Sequence, residues 1–351
     1  VAEVDWYRPL ETVPGGEGPA LPVREPRRRT ITPAALDAAV RYAAEQKSYA
    51  LLVWRDGALE LERYWPGFGP GSRYDTASMH KTVAAVLLGT AVADGRIRSV
   101  DDPLERYLPD LAGTARGRIP LRALLEMASG IETPPVSDDP ASPYWQTYFG
   151  DDLKRAIAHW PQKRAPFAEF YYANANTQYL GWAIEAATGR RYADYLSEKL
   201  WRPMGAGDAR LWLDRAGGSP RVFCCLQATA RDWLRFGLLL MNGGRSGGRQ
   251  LVPADWIARM TAPSAANPNY GWQIWRGSPH VAARRYGRDI PATVPAARPF
   301  AADDVAYLDG SGGQRVYVVP SKKMVIIRIG AASRTWDDTA LPNLLLTGAQ
   351  R

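Results

Sequence analysis

Ser78-Met79-His80-Lys81 sets a hydroxyl and an amine three residues apart, just ahead of the apolar run Thr82-Val83-Ala84-Ala85-Val86-Leu87-Leu88. That run reads as a helix, and residues three apart on a helix share a face. Ser78 Oγ and Lys81 Nζ are therefore expected to meet at its first turn. There the positive end of the helix dipole favours charge developing on oxygen. No other serine in the chain has a lysine three places on, and Lys81 is the only lysine between Lys47 and Lys154. The competing reading makes Ser78 or Thr76 a helix cap and Lys81 a solvated side chain.

A serine nucleophile needs a proton acceptor. Phe170-Tyr171-Tyr172-Ala173-Asn174-Ala175-Asn176 lies just before a second apolar helical run containing Tyr179, Leu180, Trp182, Ala183 and Ile184. Free tyrosine and lysine both titrate near about pH 10, and held side by side away from water their protons belong to the pair. Tyr172 is then able to take the Ser78 proton, while Asn174 anchors Lys81 and orients substrate. The alternative is an aromatic loop that caps a helix.

A third segment, Gly310-Ser311-Gly312-Gly313-Gln314, precedes a β-branched stretch, Arg315 to Val319, that alternates like a strand. Small residues at a strand edge let a substrate carbonyl approach backbone N–H groups. The N–H of Ser78 and one near Gly313 would form an oxyanion hole, with Gly312, Gly313 and Gln314 as oxyanion and substrate-binding candidates. A plain glycine-rich hairpin turn is the alternative here.

Ser-x-x-Lys, Tyr-x-Asn and a glycine-rich strand element, in this order, resemble the serine β-lactamase and penicillin-binding-protein superfamily. The Tyr172-Ala173-Asn174 form is similar to its class C branch, with the family VIII carboxylesterases, D-amino-acid peptidases and 6-aminohexanoate-dimer hydrolases. The stretches Arg98 to Pro109 and Leu124 to Ile131 look like the segments that follow the nucleophile helix there. Ala228-Thr229-Ala230-Arg231-Asp232-Trp233 and Gly312-Gly313-Gln314 look most like the nylon-oligomer-hydrolase type. The resemblance runs over roughly residues 35 to 330. It implies Ser78, Lys81 and Tyr172 as catalytic residues, no cofactor and no metal. One departure bears on substrate: the third element holds Gly310-Ser311-Gly312 where β-lactamases usually have Lys-Thr-Gly, whose lysine helps bind a substrate carboxylate. That argues for esters or amides without a carboxylate next to the scissile bond, unless an arginine from elsewhere substitutes.

Two lobes are expected: an α+β fold of the β-lactamase/transpeptidase-like kind. After an irregular lead-in (1–29), an α/β lobe with a central antiparallel sheet takes residues 30–119 and 264–351. A mainly helical lobe takes 120–263. Thr32-Pro33 reads as the cap and first position of a helix with Leu36, Ala39, Val40 and Ala43 on one face. Asp56-Gly57 between two apolar runs is a hairpin signal. Further strands are expected at 270–275, 305–308, 315–319 and 324–329.

The 351 residues carry a net charge of +8, with 46% hydrophobic and 23% charged residues, as expected for a globular enzyme. No apolar run approaches the roughly 20 residues of a membrane span. Arg24, Arg27, Arg28 and Arg29 form one basic cluster and Arg284, Arg285 and Arg288 another. No nucleic-acid-binding signature accompanies them, so both read as solvated surface, with a small-molecule ester or amide as partner. The adjacent Cys224 and Cys225 are expected to be unbridged buried hydrophobes. The opening at Val1 without methionine, followed by a Pro/Gly-rich stretch, reads as a trimmed terminus and a periplasmic or secreted protein.

Other catalytic readings fare worse. Gly244-Arg245-Ser246-Gly247-Gly248 fits Gly-x-Ser-x-Gly, but an apolar helix precedes it where a strand is required. His80, His159 and His280 have neither the spacing of a triad nor that of a metal site. The expected activity is a serine hydrolase that forms an acyl-enzyme on Ser78 and cleaves a small ester or amide. A D-amino-acid peptidase or weak β-lactamase is the alternative within enzymes, and a non-catalytic penicillin-binding or sensor protein the alternative outside them.

Overall fold

The computed structural model describes residues 7–350. Its frame is a six-stranded antiparallel sheet. In spatial order the strands are Ala58–Tyr64, Ser48–Arg55, Met324–Gly330, Gln314–Val319, Ala306–Gly310 and the short Trp275–Arg276. The early hairpin thus pairs with the late strands, and the helical stretch is inserted between them. The hairpin turns at Asp56-Gly57, both at positive φ (45° and 89°), which suits the right-handed twist of the flanking strands.

Period-two alternation divides the sheet between two cores. Leu51, Val53, Tyr317, Val319 and Ile326 point to one side. They pack with Leu36, Ala39 and Ala43 of helix Pro33–Glu45 and with Leu341 and Leu345 of helix Ala340–Thr347. Thr32 caps the first of these helices by accepting from the Ala35 N–H, and Pro33 is its first residue. Ala50, Leu52, Val316, Val318, Val325 and Ile327 face the opposite side, in the core that holds Trp233, Leu234 and Phe236 of helix Ala230–Met241.

That last helix lies within the stretch 120–263 but packs on the sheet, so this stretch is not one helical body. Helices Asn174–Thr188 and Ala254–Thr261 pack against helix His80–Ala93. Residues 80–91 of the latter are buried all round, as expected of a helix at the centre of a large core.

Several local expectations change. The lead-in is not wholly irregular: Leu10–Val13 pairs with Ala209–Trp212 in a second sheet completed by Leu226–Thr229 and Arg73–Asp75. Strands of three or four residues are too short to show a period. The strand expected at 270–275 shrinks to Trp275–Arg276, because the chain folds back on itself there. Gln273 takes φ 57°, and the Gly271 N–H donates to the Ile274 carbonyl at 2.9 Å. Cys224 and Cys225 are joined by a disulfide. The positive φ of Cys225 (71°) accompanies this turn of the chain, which adjacency in sequence does not disclose. Arg284 is not surface. It is 3% exposed, whereas Arg285 beside it on strand Ala283–Arg285 is exposed.

Gln273 ties the helical elements together. Its side chain accepts from Thr177 Oγ1 at 2.7 Å and donates to the Leu124 and Leu125 carbonyls, while its own carbonyl accepts from Thr82 Oγ1 at 2.6 Å. Helices 80–93, 174–188 and 121–125 are thereby clasped at one point. Gln273→Leu leaves a buried hydroxyl and two carbonyls without these partners and is expected to cost about 2–4 kcal/mol. A urea unfolding midpoint equal to that of the parent protein would contradict the clasp.

Candidate active site

Ser78 sits in the single 3-10 turn Ala77–Met79 that leads into helix His80–Ala93. The turn is entered through Ala77 at φ 50°, a left-handed conformation that costs a non-glycine residue roughly 1–2 kcal/mol. Two bonds hold it: the Ala77 N–H donates to Asp75 Oδ1 at 2.8 Å, and the Ala77 carbonyl accepts from Cys225 N–H at 3.3 Å. Asp75 is itself fixed by the Tyr7 hydroxyl at 2.6 Å. Neither Thr76, which precedes this turn, nor Met79, which precedes the helix, makes a side-chain cap. Ser78 is therefore presented by a constrained turn and is not a cap.

Lys81 is 1% exposed, so the solvated reading fails. Its Nζ donates to Ser78 Oγ at 2.8 Å and to the Phe223 carbonyl at 2.6 Å, and lies 4.9 Å from the centre of the Tyr172 ring. Burial disfavours the ammonium and pushes Lys81 down to about 7, while Asp309 works weakly the other way. Tyr172 moves in the opposite direction. Burial first, then Tyr270 and Asp309, hold its phenol well above the ordinary range, against a smaller lowering by its hydrogen bond with Ser78. Tyr172 is fixed by its N–H to the Tyr286 carbonyl at 2.7 Å and by stacking on Trp275.

The structure brings Ser78, Lys81 and Tyr172 together in one place. Asn174 departs from expectation. It opens helix Asn174–Thr188 and lines the same cavity, but its Nδ2 donates to the Tyr148 hydroxyl at 2.8 Å, and the partners of Lys81 are Ser78 and Phe223. A backbone carbonyl from a distant segment has taken the anchoring role assigned to Asn174.

The third element forms a hairpin turn. Gly310 pairs with Gln314, and Gly312 and Gly313 (φ 81° and 88°) line the cavity with Ser78. Its close approach is real: a Cβ on Gly310 would lie 2.2 Å from the Thr76 carbonyl oxygen. Gln314 faces elsewhere. Fully buried, it donates to the Gly330 carbonyl at 2.8 Å and accepts from the Gly330 N–H at 2.9 Å, so its side chain braces the sheet and is no substrate ligand.

Behind this turn lies a square of buried charge that the sequence did not reveal. Arg284 bridges Asp309 (3.0 Å) and Asp338 (2.9 Å), and Arg315 bridges the same two carboxylates. Tyr286 donates to Asp309 at 2.7 Å. The two guanidiniums hold the Asp309 carboxyl down to about 2 against burial, so it stays ionised yet matched.

The cavity holds about 880 Å³ and is walled by Tyr144, Tyr148, Tyr171, Tyr286 and Trp336. Such a space admits a small organic molecule. The histidines lie outside this chemistry: His80 is locked between the Cys224 carbonyl and the Tyr192 hydroxyl, and His159 and His280 contact backbone carbonyls. The Gly-x-Ser-x-Gly match falls on a two-residue hairpin, Arg245–Ser246 with Arg249–Gln250.

Residues 36–340 match the family model described as Beta-lactamase. Over 227 residues the chain is 30% identical to the 6-aminohexanoate-dimer hydrolase of Paenarthrobacter ureafaciens, covering 61% of this chain and 57% of that protein. The match therefore spans a little over half the length of that relative. Among solved structures, a Bacillus anthracis protein named as a candidate 6-aminohexanoate-dimer hydrolase superposes with a TM-score of 0.78 at 21% identity. That match covers 99% of this chain and 91% of the other. EstCE1, described as a hydrolase with promiscuous acyltransferase activity, superposes with a TM-score of 0.67 at 13% identity, covering 90% and 98%. Both structural likenesses establish the fold.

If burial controls the Lys81 amine, its titration followed by NMR in carbon-13-labelled protein has a midpoint near pH 7. A midpoint in the ordinary alkaline range of lysine would remove burial as the controlling factor.

Proposed function

The chain belongs to the β-lactamase family, and from that premise we propose that it is a serine hydrolase working through an acyl-enzyme on Ser78. The observation that carries this reading is the 2.8 Å contact between Lys81 Nζ and Ser78 Oγ at the wall of an aromatic cavity. An amine shifted down to about 7 is substantially neutral at physiological pH and accepts a hydroxyl proton. Tyr172, shifted up, rests as a phenol and donates. These opposite directions make Lys81 the resting base and Tyr172 the proton carrier, which reverses the emphasis expected from the sequence.

In the proposed cycle Ser78 Oγ attacks a carbonyl carbon as its proton passes to Lys81. The oxyanion rests on the Ser78 N–H and an N–H of the Gly312–Gly313 turn. Tyr172 gives its proton to the leaving alkoxide or amine and is reprotonated from Lys81. Water then attacks the acyl-serine, its proton going to the same pair, and Ser78 leaves with a proton restored. Asn174, oriented by Tyr148, lies where it can bond the substrate.

A small linear amide or ester fits this cavity best. The named activity of the Paenarthrobacter relative favours the amide, and the third element, with Gly310-Ser311-Gly312 and no lysine, disfavours a β-lactam. D-amino-acid peptidase activity ranks next. A non-catalytic acylated sensor would differ by labelling at Ser78 without release of product.

A hydrolysis panel of nitrophenyl esters, 6-aminohexanoate dimer, D-amino-acid amides and nitrocefin tests the reading. Ser78→Ala should abolish turnover while leaving the fold intact, and Tyr172→Phe should lower kcat by about 10³-fold or more. Near-normal rates in either variant would refute the role assigned to it. With any substrate that is turned over, kcat/KM should rise with pH through a midpoint near 7 as Lys81 loses its proton. A rate that falls through that range would exclude Lys81 as the base.

A further inference from the structure

Phe223, Cys224 and Cys225 are consecutive residues, and each bonds to the segment that carries Ser78. The Phe223 carbonyl accepts from Lys81 Nζ at 2.6 Å, and the Cys224 carbonyl accepts from His80 Nδ1 at 2.9 Å. The Cys225 N–H donates to the Ala77 carbonyl at 3.3 Å. These contacts fall on both sides of Ser78, at the turn that enters the helix and at the first two residues of the helix itself. Neither cysteine is among the described residues that line the cavity, so any effect of the pair on the reaction passes through these backbone contacts.

The bridge between Cys224 and Cys225 closes a small ring over the peptide that joins them. Two of the three contacts depend on backbone confined by that ring. Cys225 is held at φ 71°, a left-handed conformation unfavourable for a residue with a Cβ. With the bridge opened, nothing covalent opposes a return to ordinary φ, and such a rotation redirects the peptide N–H that meets Ala77. The segment is pinned on either side, upstream by the Val222 N–H on Gln178 and downstream by strand Leu226–Thr229. Slack released by reduction is therefore taken up at residues 223–225, where the contacts to Ala77, His80 and Lys81 are made.

We propose that the Cys224–Cys225 bridge is a redox-sensitive positioning element for Ser78 and Lys81, and that the site is more reactive with the bridge closed. This rests on the reading of Ser78 as nucleophile and Lys81 as its base. A dithiol reductant opens the bridge: one reductant thiolate attacks a cysteine sulfur, the S–S bond breaks, and the second reductant thiol closes a disulfide of its own. Two electrons pass to the protein, the two thiol hydrogens end on the cysteine sulfurs, and the reductant leaves oxidised. The cysteines are 5% and 4% exposed, so the exchange waits on opening of the segment and takes roughly minutes to hours.

Air-oxidised protein denatured in iodoacetamide should gain no alkyl group, and two after treatment with dithiothreitol. Alkylation without reduction would overturn the proposal at the outset. Folded protein, bridged or reduced and desalted, is then compared by two readouts. Opening the bridge should slow labelling of Ser78 by a fluorophosphonate about tenfold or more, and speed hydrogen exchange at the Cys225 amide about as much, while the amides of Ile326 and Ile327 in the sheet keep their rates. Reoxidation should restore both, and in Cys224→Ser/Cys225→Ser protein dithiothreitol should change neither. Unchanged labelling or unchanged Cys225 exchange with the bridge open, or an equal response to dithiothreitol in the double variant, would overturn the assignment. A Ser78 that resists the fluorophosphonate even in bridged protein would count against the hydrolase reading, and the Cys225 exchange would then decide this one by itself.

Discussion

Keeping an amine out of water without a carboxylate beside it is the constraint around which this site is built. A lysine stripped of solvent loses the hydration of its charge, and only a matching anion or loss of the proton compensates. Lys81 has a hydroxyl, a backbone carbonyl and aromatic rings as neighbours, and the opposing pull of Asp309 does not outweigh burial. The surroundings therefore favour the neutral amine, which is the form able to take a proton from Ser78. Much of the neighbouring structure serves to hold those two acceptors still. Arg221 is fixed by the carbonyls of Thr147, Leu213 and Gly150, and the Val222 N–H by Gln178. The bridged pair Cys224–Cys225 follows directly. The Phe223 carbonyl sits between these restraints.

The second requirement is that nearby charge must not undo this arrangement. Asp309 stands at the end of strand Ala306–Gly310, within electrostatic reach of both Lys81 and Tyr172. A free carboxylate there would favour the ammonium. Arg284 and Arg315 spread its charge over a four-membered cluster with Asp338, which leaves the cluster near neutrality. Buried clusters of this kind add little to stability over an apolar core, and losing one partner is costly because an unmatched charge remains. The cluster also joins three sequence-distant segments at the back of the cavity, so that charge balance and shape are set by the same residues.

Membership of the β-lactamase family fixes the frame more firmly than the substrate. The sheet, the central helix 80–93 and the turn that presents Ser78 form the shared scaffold. Particular to this chain is the lining: a glycine-rich turn without a lysine, backed by Asp309 held between two arginines, and a wall of tyrosines. These features bear on which carbonyl compound fits, and the scaffold bears on how it is attacked.

The sequence by itself determined the local arrangements. Three-residue spacing put Ser78 and Lys81 on one side of a turn, Asp56-Gly57 set a hairpin, Thr32-Pro33 set a helix start, and Tyr172 preceded a buried helix. Each depends on backbone geometry over a few residues, where side-chain type constrains φ and ψ directly. The tertiary structure decided the rest. It chose the Phe223 carbonyl over Asn174 as the anchor of Lys81, and every residue type has such a carbonyl, so no sequence signal marks it. It turned Gln314 into the sheet and laid helix Ala230–Met241 across the strands. It also buried Arg284 while leaving Arg285 exposed. Which face of a strand meets a core, and which cation meets an acid, depends on chain segments far apart in sequence.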